Sequence, residues 1–450
     1  MRPITIAWIL VLAGCGCSNG GNVNNDAGTV CEGGGGAGTT CDVGATQCSG
    51  DVPQTCGSNG AWLNGTPCSS STTCVLGACG GVCGPGQTRC SGDSIQACDS
   101  NGRWGSAWPC STSACDGGAC SGSTTTGTSC QAGGVGATTC GANKESCCTS
   151  TEVPGGAFYR VYDSSDAGVS VSLAADGGPT GEAYPATVSG FRLDRYLVTV
   201  GRFRQFVSAW NNGWTPAQGA GKHAYLNGGQ GLVNGGCAAS FEPGWIASDG
   251  ERIAPTTENL RCTTGATWTS SASDNENLPI NCVNWYEAYA FCIWDGGFLP
   301  SEWEAEYAAA GGSQQREYPW GSTDPGTANQ YAIYGDGRTT TCYYPGPGLQ
   351  MCSGTMNIAP VGTAALGAGR WGQLDLAGEV SGWVVDWATS PWQPCLDCAS
   401  LIPDMGNPYR VVWGGVYFSS EADLVVTWMR LSGAPTLRID TNGIRCARAP

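Results

Sequence analysis

The cysteines constrain this chain more than any other feature. The 450 residues include 28 cysteines but a single histidine, His223. So many cysteines predict an oxidising compartment and a framework of disulfide bonds. Because the chain has a single imidazole, zinc sites that mix cysteine and histidine ligands are nearly excluded.

Twelve of the cysteines form an internal repeat. One set is Cys41, Cys48, Cys56, Cys68, Cys74 and Cys79, and the other is Cys83, Cys90, Cys98, Cys110, Cys115 and Cys120. The first four members of the two sets lie 42 residues apart, and QCSGD at 47–51 matches RCSGD at 89–93. Units with so few large aliphatic residues need disulfides to fold. We predict small disulfide-rich repeats at 41–82 and 83–122, whose pairing the sequence leaves open. They form a stalk or, alternatively, a tandem binding module.

The N-terminus has the features of an export signal. Arg2 precedes an apolar run at 4–12 that is too short to span a bilayer as a helix. The run ends in Leu-Ala-Gly-Cys15, which resembles the lipobox of bacterial lipoproteins, where the cysteine carries the lipid. We predict a signal peptide at 1–15 with lipidation at Cys15, a flexible tether at 16–40, and a linker at 123–146. The alternative is ordinary secretion with cleavage at a small residue.

This interpretation places the protein in the cell envelope, anchored by lipid to a bacterial membrane that is either the outer membrane or one facing the periplasm. The net charge is −16, and only 12% of the residues are charged. An acidic, charge-poor chain binds polyanions weakly, so no nucleic-acid partner is expected. The expected partners are the membrane, through the lipid, and an unknown glycan or envelope protein.

The plainest secondary structure lies in the stretch 284–312. Asn284 with Glu287, and Ser301 with Glu304, have the spacing of capping boxes, and they predict helices at 285–294 and 302–310. A third helix is predicted at 200–210. Short strands are predicted at 186–193, 374–380 and 410–418, and the remainder reads as long loops.

Four motifs in the same half of the chain resemble the formylglycine-generating enzyme family, also called the sulfatase-modifying factor family. They are GGFLPSEWEAEYAAAGG at 296–312, YPWG at 318–321, GQLDLAG at 372–378 and NGIRCAR at 442–448. The resemblance implies that residues 147–450 form an α+β domain with high loop content. The family fold is an irregular relative of the C-type lectin fold.

The resemblance also implies a chemistry that this chain has lost. The family oxidises a substrate cysteine to formylglycine with two cysteines that hold copper(I) as thiolates, the ligand type that this soft ion prefers. Ser419 and Leu424 occupy the matching positions here. Family charges are also replaced by Phe298, Leu197 and Trp413. We therefore assign no catalytic residue and expect no copper.

Calcium is the cofactor that the resemblance leaves open. At one family site, Asp375 stands for an asparagine, with the carbonyls of Gly378 and Val380, while Gly382 replaces a glutamate. Loss of a bidentate glutamate weakens a site that needs six to eight oxygens. At the other site, Asn329 matches the family asparagine and Asp336 is the candidate carboxylate. The alternative at both places is a polar turn.

Disulfides are expected throughout the large domain. The resemblance implies a bond between Cys292 and Cys446. Adjacent Cys147 and Cys148 cannot bond each other without strain, so each is expected to pair elsewhere, with Cys130 and Cys140 as candidates. The C-x-x-C motif at 395–398 has metal-like spacing, but an exported chain favours a disulfide over zinc.

These features favour an anchored, exported lipoprotein with a copper-free family domain that binds a ligand or partner. One alternative is an oxidoreductase of the same family that acts on a sulfatase-type protein substrate. The other is a structural spacer of the cell envelope.

Overall fold

The computed structural model describes most of the residues between 46 and 120, in short stretches. Beyond them it describes 127–160, 185–235, 240–338, 341–346, 348–389, 395–403, 406, 408–420 and 430–450. Cys15, with the predicted signal peptide and tether, lies outside the described residues. No helix within the described ranges combines the length and apolar character needed to cross a membrane.

The cysteine-rich units consist of short antiparallel strands. Their strands are β1 (Thr46–Ser49), β2 (Val52–Cys56), β3 (Trp62–Asn64), β4 (Thr73–Val75) and β5 (Ala78–Gly81), then β6 (Thr88–Cys90), β7 (Ser94–Ala97), β8 (Trp108–Pro109), β9 (Cys115–Asp116) and β10 (Ala119–Cys120). Both units place three strands in one sheet and two in another. Cys74 lies opposite Cys79 in β4–β5, and Cys115 lies opposite Cys120 in β9–β10.

The large domain combines three α-helices with short strands in the residues described. The helices are α1 (Val200–Asn211), α2 (Trp285–Trp294) and α3 (Glu302–Ala309). The strands are β11 (Ser150–Val153), β12 (Gly156–Tyr159), β13 (Pro185–Val188), β14 (Phe191–Asp194), β15 (Val233–Asn234), β16 (Thr341–Cys342), β17 (Gln350–Met351), β18 (Ser381–Trp387), β19 (Cys395–Leu396), β20 (Cys398–Ala399), β21 (Arg410–Trp413), β22 (Arg430–Gly433), β23 (Asn442–Gly443) and β24 (Ala447–Arg448).

The sheets bring distant parts of the chain together. One sheet has the order β22-β21-β18-β23, and two others have the orders β11-β14-β24 and β12-β13-β19. β24, close to the C-terminus, pairs antiparallel with β14. The main apolar core lies among these sheets and the three helices, with Phe203, Phe206 and Phe291 fully buried at its centre.

The capping boxes form as the sequence predicts. In α2, the Asn284 side chain accepts the Glu287 N–H at 2.9 Å, and the Glu287 carboxylate accepts the Asn284 N–H. Ser301 and Glu304 make the same reciprocal pair at the start of α3. These bonds satisfy backbone donors that a helix start leaves unpaired, which explains why both helices begin where predicted.

The predicted strands fit less well. The strand predicted at 374–380 is wrong, because Asp375, Gly378 and Glu379 all have positive φ and form an irregular loop before β18. The strand predicted at 186–193 is two strands, β13 and β14, in different sheets. The strand predicted at 410–418 ends at Trp413, since Gly414 has a φ of 98°.

The predicted linker at 123–146 is packed against the large domain from Gly127 onward. Cys130 bonds Cys148 and Cys140 bonds Cys147, which uses both predicted candidates. Ser129 is fully buried, and its N–H donates to Asp295 at 2.7 Å. The described part of the domain therefore begins at 127 rather than at 147.

Other disulfides staple the core and its loops. Cys292 at the end of α2 is joined to Cys446 just before β24, with both residues fully buried. Cys262 bonds Cys282, and a further pair is Cys342 with Cys352. The C-x-x-C motif forms a disulfide between Cys395 and Cys398.

Candidate functional site

Ser419, which the resemblance matches to the family's first copper thiolate, lies in a tight turn after β21. Ser419 is buried, and its Oγ accepts the N–H of Val416 at 2.9 Å. The Ser419 N–H donates in turn to the Val416 carbonyl at 2.8 Å. The hydroxyl therefore closes the turn. Leu424, the second position, lies outside the described residues.

The large-domain cysteines that the structure describes are all in disulfides. Across the described ranges, no cluster of three or more histidine, cysteine, aspartate or glutamate side chains has a geometry suited to a metal ion. The described residues therefore offer no pair of thiolates for copper(I).

Three of the predicted calcium residues lie together. Asp375, Gly378 and Val380 line one cavity of about 30 Å³ with Gly382, the position of the missing glutamate. A Cβ added at Gly382 would meet only one atom within 4 Å, the Arg445 backbone nitrogen at 3.9 Å. A Cβ at Gly382 would therefore meet no clash, but the carboxylate that would complete a calcium site is absent.

The acid beside this cavity is poorly suited to carry charge. Burial raises the pKa of Asp375 to about 6, although Arg445 and the Gly362 N–H act in the opposite direction. Its Oδ2 accepts that N–H at 2.7 Å. The neighbouring Glu379 has a pKa raised well above its usual value by burial and by Asp375. One oxygen of Glu379 accepts the Ala359 N–H, and the other has no partner.

The second predicted calcium site is not assembled. Asp336 accepts hydrogen bonds from the Thr341 hydroxyl and the Arg338 N–H. Asn329 donates weakly to the carbonyls of Tyr343 and Gly346 at 3.4 and 3.3 Å, and its own Oδ1 has no partner. Asp336 and Asn329 share no partner among these contacts, and the Asp336 carboxylate already accepts two hydrogen bonds. At the first site the residues present lack the bidentate carboxylate, so they fit calcium poorly.

The titration of Asp375 gives a testable pH dependence. Its folded pKa lies above the unfolded value, so the stability it contributes is fully present below pH 3.8 and is lost as the pH rises through about 6. We expect Asp375→Asn to raise stability at pH 8 by about 2–3 kcal/mol and to have little effect at pH 3.5. Asparagine also tolerates the positive φ of 55° at this position.

Urea denaturation at the two pH values measures this effect, with the exposed Asp324→Asn as the matched control. A destabilised Asp375→Asn variant at pH 8 would contradict the assignment. It would mean that the carboxylate is ionised and paired, as it would be beside a bound cation.

The only histidine lies in a buried ionic triad. His223 Nδ1 lies 2.9 Å from Glu242, and Nε2 lies 3.0 Å from Glu304 of α3. Burial opposes the charge on the ring, but the two carboxylates raise the pKa of His223 to about 10. The imidazole is therefore a positive charge that joins α3 to the loop at 242. Sequence spacing could not reveal this, because the partners lie 19 and 81 residues away.

An aromatic cluster at the surface is the second feature that spacing did not reveal. The rings of Tyr318 and Trp320 are stacked with centroids 4.8 Å apart, and Trp320 lies 5.5 Å from Tyr331. Trp320 and Tyr331 are partly exposed. Asp324 and Gln330, which lie close in the sequence to Trp320 and Tyr331, are exposed. We call Tyr318, Trp320 and Tyr331 the aromatic platform.

Comparison with known proteins shows the family of the large domain. Residues 137–450 match the family described as the sulfatase-modifying factor enzyme 1-like domain. This match covers more than half of the chain, and the protein belongs to that family. The family resemblance predicted from the four motifs is thereby confirmed.

The relatives differ in what they do. The formylglycine-generating enzyme of Thermomonospora curvata is 29% identical over 319 residues, covering 66% of this chain and 92% of that protein. A mouse protein named inactive C-alpha-formylglycine-generating enzyme 2 is 27% identical, covering 66% of this chain and 84% of its own. Among solved structures, PvdO from Pseudomonas aeruginosa has a TM-score of 0.41 and 19% identity over 66% of this chain and 93% of its own. Family membership alone therefore does not define the activity.

Proposed function

We propose that this protein is an exported, lipid-anchored binding protein whose family domain holds a glycan of the cell envelope and carries out no copper-dependent oxidation. The loss of the oxidation is supported by Ser419, because its hydroxyl is committed to the Val416 N–H and cannot act as a copper thiolate. Binding is supported above all by the aromatic platform.

The platform has the chemistry that a sugar ring requires. A pyranose presents an apolar C–H face, which packs on an aromatic ring, and hydroxyl groups, which pair with amides and carboxylates. Trp320 is held in place by its stacking on Tyr318 and by the bond from its Nε1–H to the Thr323 carbonyl at 2.9 Å. A fixed aromatic side chain loses little conformational entropy on binding. A lectin-like use of this surface would fit these properties.

Binding is tested on an array of bacterial envelope glycans with the whole protein. We expect Trp320→Ala to weaken binding at least tenfold, which corresponds to about 1.4 kcal/mol. Tyr409→Ala removes a more exposed ring elsewhere and serves as the control. Binding of the native protein that Trp320→Ala leaves unchanged would reject the platform. No glycan binding at all would favour a protein partner or a spacer.

The anchor is tested separately. We expect Cys15→Ala to move the protein from the membrane fraction to the soluble fraction and to change the mature N-terminus. An acylated cysteine with several chains holds a protein stably on a membrane, and its loss removes that affinity. Cell fractionation and N-terminal mass measurement check this. A variant that stays on the membrane with an unaltered N-terminus would contradict the lipid assignment.

A further inference from the structure

The disulfide in the C-x-x-C motif differs from the others described in the large domain. Only two residues separate Cys395 from Cys398, whereas 154 positions separate Cys292 from Cys446. A bond that closes so short a loop restricts the unfolded chain least, so it is a weak staple. Its presence is therefore poorly explained by stability alone.

The turn between the two cysteines is held without help from the sulfur atoms. β19 pairs with β13 on one side, and β20 pairs with β15 on the other. Asp397, inside the turn, donates its N–H to Thr187 at 2.9 Å and accepts the Val233 N–H at 2.8 Å. The two cysteines would therefore remain close together after the bond between them opens.

The two sulfur-bearing residues are unequally accessible. Cys395 is partly exposed, while Cys398 is only 3% exposed. An outside thiolate can reach the first residue more readily than the second. This asymmetry fits a disulfide that is attacked at one sulfur and releases the other.

A buried acid lies between them. Asp397 is 7% exposed, and its two oxygens accept the N–H and the Oγ–H of Ser189 at 2.6 and 2.7 Å. Burial raises the pKa of Asp397 to about 6, with Glu304 adding to the effect while Ser189 and the nearby His223 oppose it. Through these two bonds the carboxylate holds Ser189, the residue that follows β13.

We propose that the pair Cys395–Cys398 is a thiol–disulfide exchange centre that accepts two electrons from thiols of other envelope proteins. A substrate thiolate attacks the Cys395 sulfur and forms a mixed disulfide. The Cys395–Cys398 bond breaks, and Cys398 leaves as a thiolate that takes up a proton. A second substrate thiolate then attacks the substrate sulfur of the mixed disulfide. The products are a substrate disulfide and the reduced pair, which a further disulfide reoxidises. Asp397 is a positioning residue, because its backbone bonds to Thr187 and Val233 and its carboxylate bonds to Ser189 hold the turn between the two cysteines. This activity does not depend on the proposed glycan binding.

The test is equilibration of the whole protein in buffers of reduced and oxidised glutathione, followed by alkylation of free thiols and peptide mass measurement. We expect Cys395–Cys398 to open at a value of [GSH]²/[GSSG] at least about 100-fold lower than the value that opens Cys342–Cys352. That factor is about 60 mV for a two-electron couple. Cys352 is also partly exposed, which makes its bond a fair comparison. If the two bonds open together, or if the motif opens only when the protein unfolds, the pair is structural and the proposal is wrong.

Single variants test the direction of attack and the acid. We expect Cys398→Ser to form a mixed disulfide with oxidised glutathione at Cys395 at least ten times faster than Cys395→Ser forms one at Cys398. Equal rates would overturn the assigned order. Asparagine tolerates the φ of 47° at position 397 as aspartate does. Asp397→Asn should therefore preserve the turn, and it should flatten the pH dependence of the exchange rate between pH 5 and 8. An unchanged pH profile would remove Asp397 from the mechanism.

Discussion

Asp295→Asn is expected to destabilise the large domain by about 3–5 kcal/mol, because it breaks a buried ionic network at the centre of the fold. Asp295 Oδ2 lies 2.7 Å from Arg202 Nη2 and 2.6 Å from Arg448 Nη2. Asp194 completes the network, at 3.0 Å from Arg202 and 3.1 Å from Arg448. The side chains of Arg202, Asp194 and Asp295 are fully buried.

The network joins four separate parts of the chain. Arg202 belongs to α1, Asp295 caps α2, Asp194 ends β14 and Arg448 ends β24. Burial opposes the charge on Asp295, but Arg202 and Arg448 hold its pKa below the usual value. A depressed folded pKa gives stability that is present above the unfolded value and is lost as the pH falls. Asparagine leaves two buried guanidinium groups facing one carboxylate.

Urea denaturation at pH 7 with the disulfides intact measures the loss, and Asp324→Asn is the exposed control. The difference between Asp295→Asn and the native protein should shrink in acid. A loss below about 1 kcal/mol at pH 7 would show that the network contributes no more than a surface ion pair.

Removal of the Cys292–Cys446 disulfide should cost up to about 5 kcal/mol. The bond joins two cysteines that lie 154 positions apart in the sequence. Chain-entropy models give a large stabilisation for a disulfide that closes so long a loop. It also ties the segment that carries β24 and Arg448 to α2. We expect Cys292→Ala with Cys446→Ala to lower the midpoint of thermal unfolding accordingly.

The matched control is Cys395→Ala with Cys398→Ala. The same entropy argument predicts that this double variant loses only about 2 kcal/mol of stability, because its disulfide closes a very short loop. Equal losses in the two double variants would mean that loop length does not govern these bonds. Strain or altered packing would then be the cause.

Local signals predicted the helices well. Asn284 with Glu287 and Ser301 with Glu304 act over three residues, so the sequence alone contains both partners. The strand predicted at 374–380 failed because its apolar residues resemble a strand, while Asp375 and Glu379 adopt positive φ. That backbone is stabilised by contacts with the distant residues Gly362 and Ala359, which no local pattern reports.

The candidate site likewise has features that the sequence shows and features that only the structure shows. The absence of cysteine at Ser419 is visible in the sequence, but the bond of its hydroxyl to Val416 is not. The aromatic platform combines Tyr318 and Trp320 with Tyr331, whose ring is tilted against Trp320 in a contact that no local pattern reports. His223 meets Glu304 across 81 positions. Such assemblies depend on tertiary packing, which composition and periodicity do not encode at the level of single contacts.

The central claim is that this family member has lost the oxidation of cysteine to formylglycine. The most direct measurement is to incubate the purified whole protein with copper(I), oxygen and a sulfatase-type C-x-P-x-R peptide, and to follow the peptide mass. An active family member run in parallel verifies the assay. We predict that the peptide keeps its sulfur and that its mass stays unchanged. Loss of sulfur with gain of a carbonyl group, dependent on this protein, would contradict the account.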